Sequence, residues 1–153
     1  MKLAIIAAAA VLVVTAAGDA SAYCVYNKSD RAAHFSSFGG PNFSKTVKPG
    51  GKECCPYNER TCNKGKSRTS DTQMATSITT SSTNLGIGSV TKGFRCGDLM
   101  GAGTRSQFTE GQGHGYWVQG SGWAELHKSG NGYVVQVYNA DSKHRGTISC
   151  PAY

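Results

Sequence analysis

Trp123, Glu125 and His127 alternate along one short segment of the chain. Residues two apart on an extended strand share a face, so an indole, a carboxylate and an imidazole are predicted side by side. A carboxylate next to an imidazole suits general acid-base work near neutral pH. A small basic hydrolase such as a ribonuclease would use Glu125 and His127 in this way, with His144 and Arg145 as further candidates. The same pattern is also what the exposed polar face of a hairpin looks like. Other catalytic arrangements find little support. There is no G-x-S-x-G turn for a serine nucleophile. Asp98, Glu110 and Glu125 are the acids near the Gly-rich half that a paired-carboxylate mechanism would draw on. His34, His114, His127 and His144 share no ligand spacing, so neither a metal nor another cofactor is expected.

A second group suggests binding. Between Lys45 and Arg68 lie Lys45, Lys48, Lys52, Arg60, Lys64, Lys66 and Arg68 against Glu53 and Glu59, a net of +5 within a total formal charge of +7. Such a cluster can grip anionic polysaccharide, a cell-envelope surface or nucleic acid, and it can equally be a solvated loop. Tyr116, Trp117, Trp123, Tyr133 and Tyr138 crowd the second half. Flat aromatic faces stack on sugars and bases, although core packing uses the same residues. We take Trp117 and Trp123 with the seven cations as the candidate binding set. Asn27-Lys28-Ser29 and Asn42-Phe43-Ser44 are N-glycosylation sequons, usable in a eukaryotic producer and expected on exposed turns.

The elements that must position these residues follow a leader. Leu3 to Ala17 is apolar except for Thr15, and Ala20-Ser21-Ala22 supplies small residues for cleavage. Residues 1–22 are therefore read as a secretory signal peptide, and 23–153 as a single β domain. The apolar run is shorter than the roughly 20 residues a membrane helix needs. Secretion, or the lumen of a secretory, vacuolar or periplasmic compartment, is the expected location. Cys24, Cys54, Cys55, Cys62, Cys96 and Cys150 are then read as three disulfides, for which 15 pairings exist. Neighbouring Cys54 and Cys55 are expected to bond elsewhere than to each other. Cys24 with Cys150 is the pairing favoured, because it closes the longest loop and restrains the unfolded chain most, by about 4 kcal/mol.

No segment after the leader repeats apolar residues at helical spacing. Strands are predicted over 23–28, 33–38, 43–48, 69–83, 122–128, 132–139 and 147–150, with the Ser/Thr-rich 69–83 open to a second reading as an O-glycosylated stalk. The arms 122–128 and 132–139, joined through Ser129-Gly130-Asn131-Gly132, form the clearest hairpin. Tyr133, Val135 and Val137 are predicted to face opposite to Val134, Gln136 and Tyr138. The fold class is all-β: a single-domain, disulfide-stabilised antiparallel β-sandwich of about eight strands.

At Tyr23-Cys24-Val25-Tyr26-Asn27-Lys28-Ser29, at Pro49-Gly50-Gly51-Lys52-Glu53-Cys54-Cys55-Pro56-Tyr57 and at Val137-Tyr138-Asn139, the chain resembles small cysteine-rich secreted proteins of early-diverging filamentous fungi and some bacteria. Some proteins of that kind are disulfide-linked and assemble into vacuolar crystals, which implies a self-assembling structural or storage role. The residues themselves point first to a secreted, non-catalytic protein binding a polyanionic or carbohydrate surface. Self-assembly and small basic hydrolysis stand as the alternatives.

Overall fold

Alternation of apolar with polar residues, cut by Gly, Pro and Asn, folds this chain into strands. The computed structural model describes residues 21–38, 43–59, 62, 70–84, 86, 89–97 and 115–153. Among the described residues ten strands are formed: β1 Ser21–Lys28, β2 Ala33–Phe38, β3 Ser44–Val47, β4 Lys52–Pro56, β5 Thr72–Asn84, β6 Ser89–Cys96, β7 Tyr116–Val118, β8 Trp123–Ser129, β9 Gly132–Tyr138 and β10 His144–Cys150. They build two sheets, one in the order β10-β9-β8-β1-β4 (sheet A) and one in the order β3-β2-β5-β6 with β7 also paired to β5 (sheet B). The all-β, disulfide-stabilised sandwich expected from the sequence is the fold observed. Among the described residues, no helix is long and apolar enough to cross a membrane.

The two inner faces make the core. Val25 of β1, Leu126 of β8 and Val135 and Val137 of β9 meet Phe35 of β2, Met74 and Ile78 of β5 and Tyr116 of β7, all at most 1% exposed. Fully burying each of these side chains stabilises by roughly 1.5–3 kcal/mol. Tyr116 also bonds through its hydroxyl to Thr76 Oγ1 at 2.7 Å, so its polar end is satisfied inside the core. The predicted in-out alternation of β9 is observed, with Tyr133, Val135 and Val137 buried.

β4, β6 and β7 are not among the predicted strands because they lack clean alternation. β4 is an edge strand whose alternation is carried by Lys, Glu and Cys, and β7 is only three residues long. The turn before β10 closes with Asn139 N donating to Lys143 O, so that β10 begins at His144. Among the described strands one pairing is parallel, that of β1 with β8. These strands are too far apart in sequence for a hairpin to dictate their direction. The stalk reading of 69–83 gives way to a strand: β5 buries Met74 and Ile78, and only its outer end, from Ser81 onward, is exposed along its whole length.

The disulfides are Cys24–Cys54, Cys55–Cys62 and Cys96–Cys150. The expected Cys24–Cys150 bridge is corrected by strand parity. Cys24 lies opposite Cys54 and Trp123 on the outer side of sheet A, whereas Cys150 lies opposite Tyr133 on the inner side. Two strands, β8 and β9, also separate β1 from β10. Cys96–Cys150 instead ties β6 of one sheet to β10 of the other.

Candidate functional site

Parity places a patterned surface on the outer side of sheet A. Going across the strands, Cys54, Cys24, Trp123, Tyr138 and His144 form one row, and Lys52, Tyr26, Glu125, Gln136 and Thr147 form the next. Lys28, His127 and Val134 start a third. Rows run perpendicular to the strands, with neighbouring strands about 4.8 Å apart.

The Trp123, Glu125 and His127 trio is brought together as predicted, and Lys28 of β1 completes it. Glu125 Oε1 accepts from Trp123 Nε1 at 3.1 Å and from Lys28 Nζ at 2.8 Å. Its Oε2 accepts from His127 Nε2 at 3.0 Å. Partial burial alone would raise the Glu125 carboxyl, but the hydrogen bonds from Lys28, His127 and Trp123 outweigh it and hold the group below its ordinary value. A carboxylate with three donors on its two oxygens is a clamp for its neighbours and a weak base.

Because the folded pKa of Glu125 is depressed, its stabilising effect is present above the ordinary glutamate range and is lost as pH falls through the lower, folded value. Denaturation midpoints of the wild type and Glu125→Gln should therefore differ at pH 7, with the gap narrowing as pH falls below the ordinary glutamate range. A gap that stays constant with pH would remove the clamp from the account.

Aromatic rings continue the first row. Trp123 and Tyr138 are stacked, with centroids 5.1 Å apart and planes 13° from parallel, and His144 meets the other side of Tyr138 edge-on at 5.4 Å. Tyr138 Oη donates to Gln136 Oε1 at 2.8 Å, and His144 Nε2 bonds Thr147 Oγ1 at 3.0 Å. Trp123 thus has one face occupied by Tyr138. It offers a ligand less flat surface than its sequence position suggested.

Cations gather where β1 ends. Lys28 and Arg31 come from β1 and the turn after it, Lys48 from the turn that follows β3, Lys52 from β4 and Lys128 from β8, and all five are exposed. Backbone hydrogen bonds from Asn27 N to Gly51 O and from Gly50 N to Asn27 O hold the Lys48–Gly51 turn against β1. Lys52 Nζ sits 5.2 Å from the centre of the Tyr26 ring. Neighbouring carboxylates include Glu125, Glu53 beside Lys52, and Asp30, the last paired with Lys128 and accepting from Tyr133 Oη. Those two hydrogen bonds hold the Asp30 carboxyl below its ordinary value.

The candidate binding set is therefore divided. Lys52 and Trp123 share the outer face of sheet A, and Lys48 stands at its end. Lys45 instead lines a cleft with Glu53 and Glu59. Trp117 belongs to β7 in sheet B, half-buried beside Gln73 of β5. Arg145 pairs with Asp71 at 2.9 Å, away from His127. Arg60, Lys64, Lys66, Arg68, Asn42, Asp98, Glu110 and His114 lie outside the described residues.

Sequence reasoning passed over Tyr26, Lys28, Arg31 and Lys128. The one available signal was that Tyr26 and Lys28 share the two-residue spacing of Glu125 and His127. Asn27 is a correction: expected on an exposed turn as a sequon, it is 0% exposed. Its Nδ2, the atom a glycan would take, donates to Arg31 O at 2.7 Å and to Val47 O at 2.8 Å. Among the described residues, no group of three or more His, Cys, Asp or Glu is arranged to hold a metal ion. No protein-family model matches the chain, and no curated protein matches it.

Proposed function

We propose that the domain is a secreted, non-catalytic binding module that takes an anionic polysaccharide across the cation-rich end of sheet A. The observation that carries this reading is the gathering of Lys28, Arg31, Lys48, Lys52 and Lys128 from separate stretches of chain, of which Lys28 pairs with Glu125 and Lys128 with Asp30. An excess of exposed like charge raises the local concentration of a polyanion and speeds its association. The adjoining row of Trp123, Tyr138 and His144 is held by hydrogen bonds and ring contacts, so little side-chain freedom is lost when a sugar chain lies along it. Disulfides suit an oxidising compartment, which supports an extracytoplasmic location. A hydrolytic role is the weaker reading, because both oxygens of Glu125 are already engaged.

Retention on an immobilised polyuronate, compared with a neutral glucan, tests the proposal. The wild type should be held by the polyuronate alone and released by salt, since exposed charges are screened over about 10 Å at 0.1 M ionic strength. The double reversal Lys48→Glu and Lys52→Glu should weaken retention on the order of tenfold or more. Equal retention on the neutral glucan, or retention indifferent to salt, would sink the reading.

A further inference from the structure

The three bridges differ in how they meet solvent. Cys55, Cys62, Cys96 and Cys150 are buried, at 2%, 4%, 0% and 6% exposure. Cys24 and Cys54 are half-buried, and both lie on the outer side of sheet A, at the end of the row that continues into Trp123. Thiol-disulfide exchange needs a thiolate to reach a sulfur, so access selects which bridge reacts.

The bridges also differ in what they hold. Cys55–Cys62 spans seven residues and ties β4 only to the segment that follows it. Cys96–Cys150 joins β6 to β10 and does not involve β4. Cys24–Cys54 spans 30 residues and is, among the described residues, the one disulfide that ties β4 to another strand of the sandwich. β4 itself is an edge strand, paired with β1 alone. Of its five residues, only Cys55 is buried.

We propose that Cys24–Cys54 is the thiol-exchange site of this protein, reacting with a dithiol reductant ahead of the other two bridges, and that its opening detaches β4 from β1. One thiolate of the reductant attacks a sulfur of the bridge, forming a mixed disulfide and releasing the other cysteine as a thiolate, which takes a proton from water. The reductant's second thiolate then displaces the remaining cysteine. The reductant loses two electrons and becomes a cyclic disulfide; the protein gains two thiols. Since β4 carries Lys52, exchange would also withdraw a cation from the binding face, a consequence that rests on the function proposed above.

Limiting dithiothreitol on the native protein, followed by maleimide trapping and peptide mass spectrometry, reads the order of reaction directly. Cys24 and Cys54 should be labelled while Cys55, Cys62, Cys96 and Cys150 remain bridged. Labelling of either buried bridge first, or of all six cysteines together, overturns the exchange site. Hydrogen exchange on the singly opened, alkylated species tests the second part. Amides of residues 52–55 should lose at least tenfold in protection while those of β8 and β9 keep theirs, and unchanged protection in β4 overturns the detachment. Polyuronate binding plays no part in either measurement, so failure of the function proposed above would leave both readouts intact.

Discussion

Asn27→Asp should cost the domain about 3–5 kcal/mol at pH 7, a large share of the roughly 5–15 kcal/mol by which ordinary domains are stable. The native amide is used at both ends. Its Nδ2 donates to the carbonyls of Arg31 and Val47, and its Oδ1 accepts from Ser29 N at 3.0 Å and from Ser29 Oγ at 2.6 Å. Aspartate keeps the acceptor and replaces the donor with a second acceptor, aimed at two carbonyl oxygens in a place with no solvent. Ionised, it is an uncompensated buried charge; protonated, it can satisfy one of the two carbonyls. Its folded pKa is therefore raised, so the full loss is felt above that pKa and shrinks as pH falls through it. Chemical denaturation at pH 7 and pH 5 should show the variant recovering toward acid. A loss below about 0.5 kcal/mol at pH 7, the size of an ordinary surface change, would mean that Asn27 does not hold these turns together. The effect extends to the surface, because the two carbonyls Asn27 grips belong to the turn carrying Arg31 and the strand end that precedes Lys48. One buried amide thus sets the backbone that presents the cations.

Asn27 also shows what a sequence motif conceals. Asn-x-Ser specifies an enzyme's substrate and carries no statement about burial, and the same three residues also make a local turn in which Ser29 caps the asparagine oxygen. The hairpin of β8 and β9 was legible for the opposite reason. There each residue reports its own face through its polarity, and Gly130 with φ of 56° closes a two-residue turn between Ser129 and Gly132. The trio of Trp123, Glu125 and His127 followed from the same parity. Its partner Lys28 did not, because the neighbour relation of β1 and β8 is set across most of the chain length by packing alone. The same limit explains the cations. A run of charge between Lys45 and Arg68 is visible in one dimension, but Lys45 ends beside Glu53 and Glu59 while Lys28, Arg31 and Lys128 arrive from elsewhere. Loop-length reasoning failed for Cys24 and Cys150 because closure entropy ranks pairings only after geometry permits them, and their side chains lie on opposite sides of one sheet.

Gly97→Ala should destabilise by about 3 kcal/mol or more, well beyond the same change at Gly130. Both glycines have left-handed backbones, with φ of 75° and 56°, so alanine strains each by about 1–2 kcal/mol. The difference lies in the surroundings. A Cβ on Gly130 would meet nothing within 4 Å, whereas one on Gly97 would lie 2.4 Å from the Cα of Gly115. Backbone cannot swing aside as a flexible side chain can, so one of the two strands must move. The reason for the contact is topological. Thr76 pairs with Cys96 at the end of β6 and Met74 pairs with Tyr116 at the start of β7, so two separate strands continue one another along the same edge of β5. The chain leaves that edge at Gly97 and rejoins it at Gly115, also of positive φ, with the two backbones touching. A displacement there acts on Cys96, bridged to Cys150 of the other sheet, and on Tyr116, whose hydroxyl bonds Thr76 in the core. Urea midpoints for Gly97→Ala, Gly130→Ala and the wild type decide the matter. Equal losses at the two glycines would mean that conformational strain alone is at work and that β6 and β7 tolerate being pushed apart.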